Sequence, residues 1–372
     1  MAQARVVVVG GGASGLSAAG ALAHRGIHSI VLERDAEVGG TWARRYERLH
    51  LHTMREYSGL AHFPIPTRYP RYLSRDEVVA YLREYASHCA LSVVAGSAVQ
   101  RIRQSDGAWR IDVADAEPWR ARVVVIATGQ YREPFVPPWP GREAYRGQLS
   151  HSIAYVNASP YARQRVLVVG AGNSGAEIAT DLAEGGASSV AMSVRTPPPI
   201  VPRDPFGMPV QRTSILLSTL PPRIANRIGQ TTARLTIGDL TPYGMPRAAF
   251  TPYTRKQVPL IDVGFVAALK RGQVAVRPAV EGLTADGARF ADGTTEAFDA
   301  IVAATGFTTG LTDLLQVDGV LDASGEPTTA SGEPSTQPGL YFIGFTHTLR
   351  GHLFEARRDS QRLARHVERY LS

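Results

Sequence analysis

The chain has one cysteine, Cys89, among 372 residues. It can form no internal disulfide and no paired-thiol redox centre. Cys89 is expected as a small core residue. No apolar run approaches the roughly 18 residues of a membrane span. Lys and Arg outnumber Asp and Glu by 40 to 33, a formal net charge of +7. The arginines form no long block, which argues against a nucleic-acid-binding tail and for a solvated surface that suits anionic ligands. Tandem repeats of solenoid period are missing. The ten histidines are scattered. His50 and His52 would share one side of a strand, but no metal site is expected, and no Ser/His/Asp arrangement for nucleophilic catalysis is visible. A strand starting almost at residue 1 leaves no room for a targeting peptide, so a cytoplasmic protein with neither a membrane nor a nucleic-acid partner is expected.

What is present alternates between short apolar strands and helices. RVVVVG, HSIVLE, ARVVVIATG, RVLVVG, SSVAMSVR and DAIVAATG read as buried strands, with helical stretches between them. This is the pattern of parallel sheets covered on both faces. SRDEVVAYLREYASHC reads as an amphipathic helix with a capping box, Ser74 and Glu77. The chain should end in a helix near Phe354 to Tyr370. Proline-rich connections run from Pro134 to Pro140 and from Thr196 to Pro209, and Ser324 to Pro338 reads as a surface loop. The length exceeds what one core supports, so two domains are expected.

VVVVGGGASG is a G-x-G-x-x-G turn between a strand and a helix. Gly10 permits the tight turn, Gly12 leaves the backbone open to a pyrophosphate, and Gly15 lets the helix pack against the strand. Ala13 and Ser14 begin the helix, whose free N–H groups favour phosphate. Glu33 ends the second strand and can accept hydrogen bonds from a ribose diol. A carboxylate there repels a 2′-phosphate, so this site should take FAD or NAD. Gly40, Thr41 and Trp42 follow in a second backbone-rich stretch near the pyrophosphate or ribityl chain.

The pattern at residues 5–16 recurs at 165–176. Gly170, Gly172 and Gly175 repeat the three glycines, with Asn173 and Ser174 between them. The following strand ends in Ser193, Val194 and Arg195, with no acid. A guanidinium there can pair with a 2′-phosphate, which favours NADPH. Two dinucleotides on one chain, one of them a hydride donor, imply electron transfer to the other, FAD.

Between the two turns lies YRGQLSH, with Tyr145, Gly147 and His151. With these residues the chain resembles the class B flavin monooxygenases, whose F-x-G-x-x-x-H motif it matches with Tyr in the first place. Thr128 and Gly129, and Thr305 and Gly306, are similar to that family's strand ends where chain passes between its two nucleotide-binding domains. YERLHLH, VLVVGAGNSGAEIATDLA, SVRTPPPIVPRD and VPLIDVGFVAALKRGQVAV bring the resemblance closest to the YUCCA-type indole-3-pyruvate monooxygenases. It covers almost the whole chain and departs from many amine- and sulfur-oxidising members, which place an Asn where HLHTMRE has His50, His52 and Thr53.

The resemblance implies an α/β fold of two Rossmann-like domains, the NADPH domain inserted into the FAD domain. The expected bounds are 1–145 and 291–372 for FAD and 146–290 for NADPH. It implies an NADPH- and O2-dependent monooxygenase acting through a C4a-(hydro)peroxyflavin, with a small-molecule substrate. That substrate stays open: a 2-oxo acid such as indole-3-pyruvate losing CO2, an amine or sulfide, a ketone in a Baeyer–Villiger reaction, or none, with H2O2 released. A carboxylate substrate would need a cation, for which Arg55, Arg255, Lys256 and Arg350 are candidates. His52 and Thr53 are the residues expected near the flavin, and a homodimer is compatible with the family.

Overall fold

The computed structural model describes residues 2–255, 258–346 and 348–372. The chain divides into two compact units. The first comprises Met1–Ala43, Thr53–Glu133 and Phe307–Ser372, and the second Arg44–His52 and Pro134–Gly306. The chain thus changes unit at 133/134 and 306/307, not at the expected 145 and 290, and it also lends a nine-residue strap, Arg44–His52, to the second unit.

In the first unit β1 (Ala2–Val9), β2 (Ile30–Leu32), β3 (Ser92–Val94), β4 (Val99–Ser105), β5 (Ala108–Val113) and β6 (Trp119–Ile126) lie in the order β3-β2-β1-β6-β5-β4. β3, β2, β1 and β6 are parallel, and β4 and β5 add an antiparallel hairpin. β6 is shared along its length. Its first half pairs with β5, and Val124 to Ile126 pair in parallel with the late strand Leu340–Phe342.

The four valines ending β1 are buried on both faces, as a central parallel strand requires. Val6 and Val8 pack towards α1 (Ala13–Ala23) and the C-terminal helix, His352–Leu371. Val7 and Val9 pack on the opposite face with Ile102, Trp109 and Leu311. The expected amphipathic helix is α2 (Arg75–His88). Ser74 caps it, and the Glu77 carboxylate accepts the Ser74 N–H at 2.8 Å. Such a cap contributes about 1 kcal/mol. Cys89 sits at the C-cap of this helix, half-buried rather than in the core, with burial pushing its thiol pKa up.

The second unit holds a five-stranded sheet of β7 (Gln148–His151), β8 (Arg165–Val169), β9 (Ser189–Ser193), β10 (Ala275–Arg277) and β11 (Ala300–Ala303). All neighbours are parallel, in the order β10-β9-β8-β11-β7. One face buries Val166 and Val168 against α3 (Asn173–Glu184), Phe265 and Leu269. The other face buries Leu167 and Val169 against Phe290, in a small antiparallel sheet, and Phe298, just after that sheet's last strand.

Candidate functional site

The two glycine turns have closely matching geometry. Gly10 has φ +110°, and a Cβ there would lie 2.5 Å from the Ala127 carbonyl oxygen. Gly170 has φ +116°, and its Cβ would lie 2.4 Å from the Ala304 carbonyl oxygen. A Cβ on Gly15 would come within 1.9 Å of the Gly10 carbonyl, and one on Gly175 within 2.0 Å of the Gly170 carbonyl. At these four positions only glycine fits without a shift of backbone. Gly12 and Gly172 are different in kind. Among the described residues nothing stands within 4 Å of where their Cβ would be, and no side chain caps the helix that either begins. Each is an open backbone surface at a helix N-terminus, suited to a pyrophosphate.

The strands that follow distinguish the two. The Gly10 N–H bonds to the Leu32 carbonyl, and the Gly170 N–H to the Ser193 carbonyl. Leu32 and Ser193 are therefore counterparts, and Glu33 corresponds to Val194. Glu33 is 7% exposed; its carboxylate accepts the N–H of Gly11 at 2.5 Å and that of Asp35 at 2.9 Å. Val194 is apolar and buried. Arg195, one residue beyond, is exposed and makes no hydrogen bond or ion pair among the described residues. The first turn therefore presents a carboxylate to a ribose. The second presents a guanidinium, with the apolar Val194 where the first has its carboxylate.

The strand ends beside the turns also differ. Thr305 donates its hydroxyl to the Phe135 carbonyl. Thr128 Oγ1 is buried beside Gly10 without a partner among the described residues. Gly129 and Gly306 both have positive φ, at +81° and +91°. Gly40, Thr41 and Trp42 lie in one helical turn, Gly40–Ala43, that buries none of its residues. Gly344, two residues after the late strand, was not anticipated as a site residue. A Cβ on it would stand 2.5 Å from Ser14 Oγ, so this backbone is pressed against the start of α1.

His52 and Thr53, neighbours in sequence, part company. Thr53 begins a segment of the first unit and accepts a hydrogen bond from Ser58 at 2.8 Å. His52 ends the strap in the second unit, with its Nε2 2.8 Å from the Glu177 carboxylate. His50 and His52 are not on a strand; His50 instead bonds to the Arg48 carbonyl. Among the described residues no group of three potential metal ligands occurs.

Glu177 is the residue that sequence reasoning missed. It is 3% exposed on α3, just beyond the Gly175 turn. Tyr46, itself buried, has its phenol close to Glu177 and Ser174. Burial first, and then the charge of Glu177, hold that phenol well above its usual pKa. Along the same face of α3, Asp181 accepts from Tyr155 at 2.6 Å, and Glu184 pairs with Arg48. Only the acids were visible in the sequence; their partners lie far away along the chain.

The Tyr145–Gly147–His151 motif is built around β7. Tyr145 donates to the Phe298 carbonyl at 2.9 Å, an acceptor that a Phe at this position would leave unused. A Cβ on Gly147 would strike the Tyr145 hydroxyl at 2.3 Å and the Asp299 carbonyl at 2.6 Å. His151 reaches the Gly306 carbonyl.

Two of the four candidate cations are already engaged. Arg350 pairs with Glu355 at 2.6 Å. Arg55 donates to the carbonyls of Thr67 and Tyr69. Arg255 ends a short helical turn, and Lys256 lies outside the described residues.

Residues 7–205 match the model of the pyridine nucleotide-disulphide oxidoreductase family. Over 91% of its length the chain is 36% identical to an indole-3-pyruvate monooxygenase, YUCCA1, of Oryza sativa subsp. japonica, covering 86% of that protein. It is 32% identical to the probable indole-3-pyruvate monooxygenase YUCCA4 of Arabidopsis thaliana, over 94% of this chain and 87% of the relative. A flavin-containing monooxygenase from Stenotrophomonas maltophilia matches its fold with a TM-score of 0.76 at 28% identity, each chain covered in full.

The chain belongs to the YUCCA-type flavin monooxygenases. It is an NADPH-dependent flavin monooxygenase, and its cofactors are FAD and NADPH. The disulphide chemistry in the broader family's description needs a second thiol that this chain lacks. Both glycine turns fit their cofactors: an open backbone at each helix start, a carboxylate at one strand end and an unpaired guanidinium at the other.

Proposed function

We propose that this protein catalyses the NADPH- and O2-dependent oxidative decarboxylation of a 2-oxo acid of the indole-3-pyruvate type. The balance is 2-oxo acid + O2 + NADPH + H+ giving the shortened carboxylic acid, CO2, H2O and NADP+. The observation that carries the cofactor assignment is the contrast between Glu33, which holds the Gly11 N–H, and Arg195, exposed and unpaired. The identity with the rice and Arabidopsis enzymes favours the 2-oxo acid.

On this reading the first unit takes FAD. Gly10, Gly12, Ala13, Ser14 and Gly15 receive its pyrophosphate and Glu33 its ribose, with Gly40, Thr41, Trp42, Thr128 and Gly129 nearby. The orphaned Thr128 hydroxyl is a ready donor for that ligand. The second unit takes NADPH on Gly170, Gly172, Asn173, Ser174 and Gly175, with Arg195 on the 2′-phosphate and Thr305 and Gly306 at the adjoining strand end. Asn173 has a second duty, since its carboxamide accepts the Ile261 N–H at 2.7 Å and so sets the backbone beside the turn. When bound, FAD accepts hydride from NADPH and supplies the oxygen chemistry at C4a. The chain's own tasks are to bind, to orient and to exclude water.

The test is the coupling ratio. With indole-3-pyruvate or phenylpyruvate, NADPH consumed should equal CO2 released, with little H2O2. Stoichiometric H2O2 with every 2-oxo acid, or coupled turnover with amines or sulfides alone, would overturn the substrate assignment.

A further inference from the structure

The segment from Pro205 to Gly238 contains four arginines, Arg212, Arg223, Arg227 and Arg234, and no Asp or Glu. It includes two helices, α4 (Val210–Leu217) and α5 (Pro222–Thr236). At about 100° per residue, α5 presents three distinct faces.

Ile224, Ile228 and Leu235 fall within about 40° of one another around the axis. They are 50%, 40% and 72% exposed. Arg223, Arg227 and Arg234 each precede one of them by one residue and form a second stripe about 100° to one side. All three are exposed, and none makes a hydrogen bond or ion pair among the described residues. The third face is buried on Ala225 and Asn226. Asn226 donates to Thr254 Oγ1 at 2.8 Å and accepts the Tyr253 N–H at 3.1 Å. These two bonds fix the rotation of α5 about its axis, so the apolar stripe is held towards solvent. Leu216 on α4 is also exposed, at 68%.

A contiguous exposed apolar stripe marks a contact surface. Its charge selects the occupant. A second copy of the chain would bring arginine ridge to arginine ridge, with no acid in the segment to relieve them. An acyl–headgroup boundary bearing negative phosphates satisfies both stripes at once. No helix among the described residues is long and apolar enough to cross a membrane, so the contact is peripheral. We propose that α5 is an interfacial helix that docks this enzyme on anionic phospholipid, with Ile224, Ile228 and Leu235 entering the acyl boundary and the three arginines meeting the phosphates.

The FAD-loaded enzyme should co-sediment with phosphatidylcholine vesicles containing phosphatidylglycerol and not with phosphatidylcholine alone. High salt should release it, because surface charge interactions are screened within about 10 Å at 0.1 M. Each arginine near such a surface contributes about fivefold in partitioning, so R223E/R227E/R234E should lose binding by about a hundredfold or more. I224S/I228S/L235S should bind weakly even at low salt. Both triple variants should keep their flavin absorbance and their vesicle-free turnover. The milder R223Q/R227Q/R234Q, which changes only exposed positions, should fall between wild type and the Glu variant. Equal or absent sedimentation with both vesicle types would overturn the proposal. So would arginine variants that bind like wild type, an apolar-stripe variant that changes only the oligomeric state, or one that changes only turnover.

Discussion

His151 donates from Nε2 to the carbonyl of Gly306 at 2.9 Å, while its Nδ1 accepts the Ile153 N–H at 3.1 Å. Both ring nitrogens are thus committed and the tautomer is set, with the imidazole neutral. A proton on Nδ1 would break the second bond. Burial, the larger cause, and the Arg45 charge push the pKa below its usual 6.5, against the Gly306 bond. The histidine of the motif therefore ties β7 to the end of the second unit and is not a proton carrier.

A lowered base pKa means that the unfolded chain takes up the proton first. The stabilisation is complete above about 6.5 and is lost as pH falls below it towards the folded value. His151→Gln should show a flatter dependence of thermal midpoint on pH in that window, and a lower midpoint than wild type near neutrality. Parallel curves for the two proteins would remove this role.

Gly10→Ala and Gly170→Ala should separate the cofactors. Each substitution places a Cβ against a carbonyl oxygen at a positive φ, a strain of about 1–3 kcal/mol before the clash is counted. Gly170→Ala should purify yellow yet accept NADPH poorly, whereas Gly10→Ala should purify with little or no FAD. Absorbance of the purified proteins, followed by flavin reduction under anaerobic NADPH, reads both outcomes. Loss of FAD from Gly170→Ala alone would reverse the assignment.

Arg195→Ala should raise KM for NADPH about 10- to 150-fold, the equivalent of a charged hydrogen bond of about 1.5–3 kcal/mol. KM for NADH should barely change, since the removed group has no phosphate to meet there. Steady-state kinetics with both nucleotides decides it, and equal effects on the two would refute the role.

Glu177→Ala should destabilise the fold by about 1–3 kcal/mol, because His52 loses a buried acceptor. Glu177→Gln keeps the shape and one acceptor oxygen and should recover part of the loss. Urea denaturation of the two variants should rank them in that order; a Glu177→Ala protein as stable as wild type would show that the contact carries no net stabilisation.

What could be read in the sequence was what local backbone demands. Gly10, Gly15, Gly170 and Gly175 are dictated by contacts within the turn or with the adjacent strand, and such constraints leave a fixed spacing. That Val194 is the counterpart of Glu33 needed the strand register, which placed Arg195 one residue beyond the carboxylate's position. The His52–Glu177 bond spans 125 residues and has no spacing to betray it. Gly344 was hidden for the same reason, since only folding brings it to Ser14. His50 and His52 would share one side of a strand, but the segment folds as an irregular strap.

That strap bears on how the molecule can be taken apart. A gene fragment encoding 134–306 would contain every strand of the second sheet yet omit Tyr46, Arg48 and His52. The acidic side of α3 would then emerge with Glu177 stripped of its phenol and imidazole and Glu184 of its guanidinium. No single excision of contiguous chain yields the second unit whole. A soluble, separately expressed nucleotide-binding module would require grafting residues 44–52 back on, through a new covalent join to one end of the fragment.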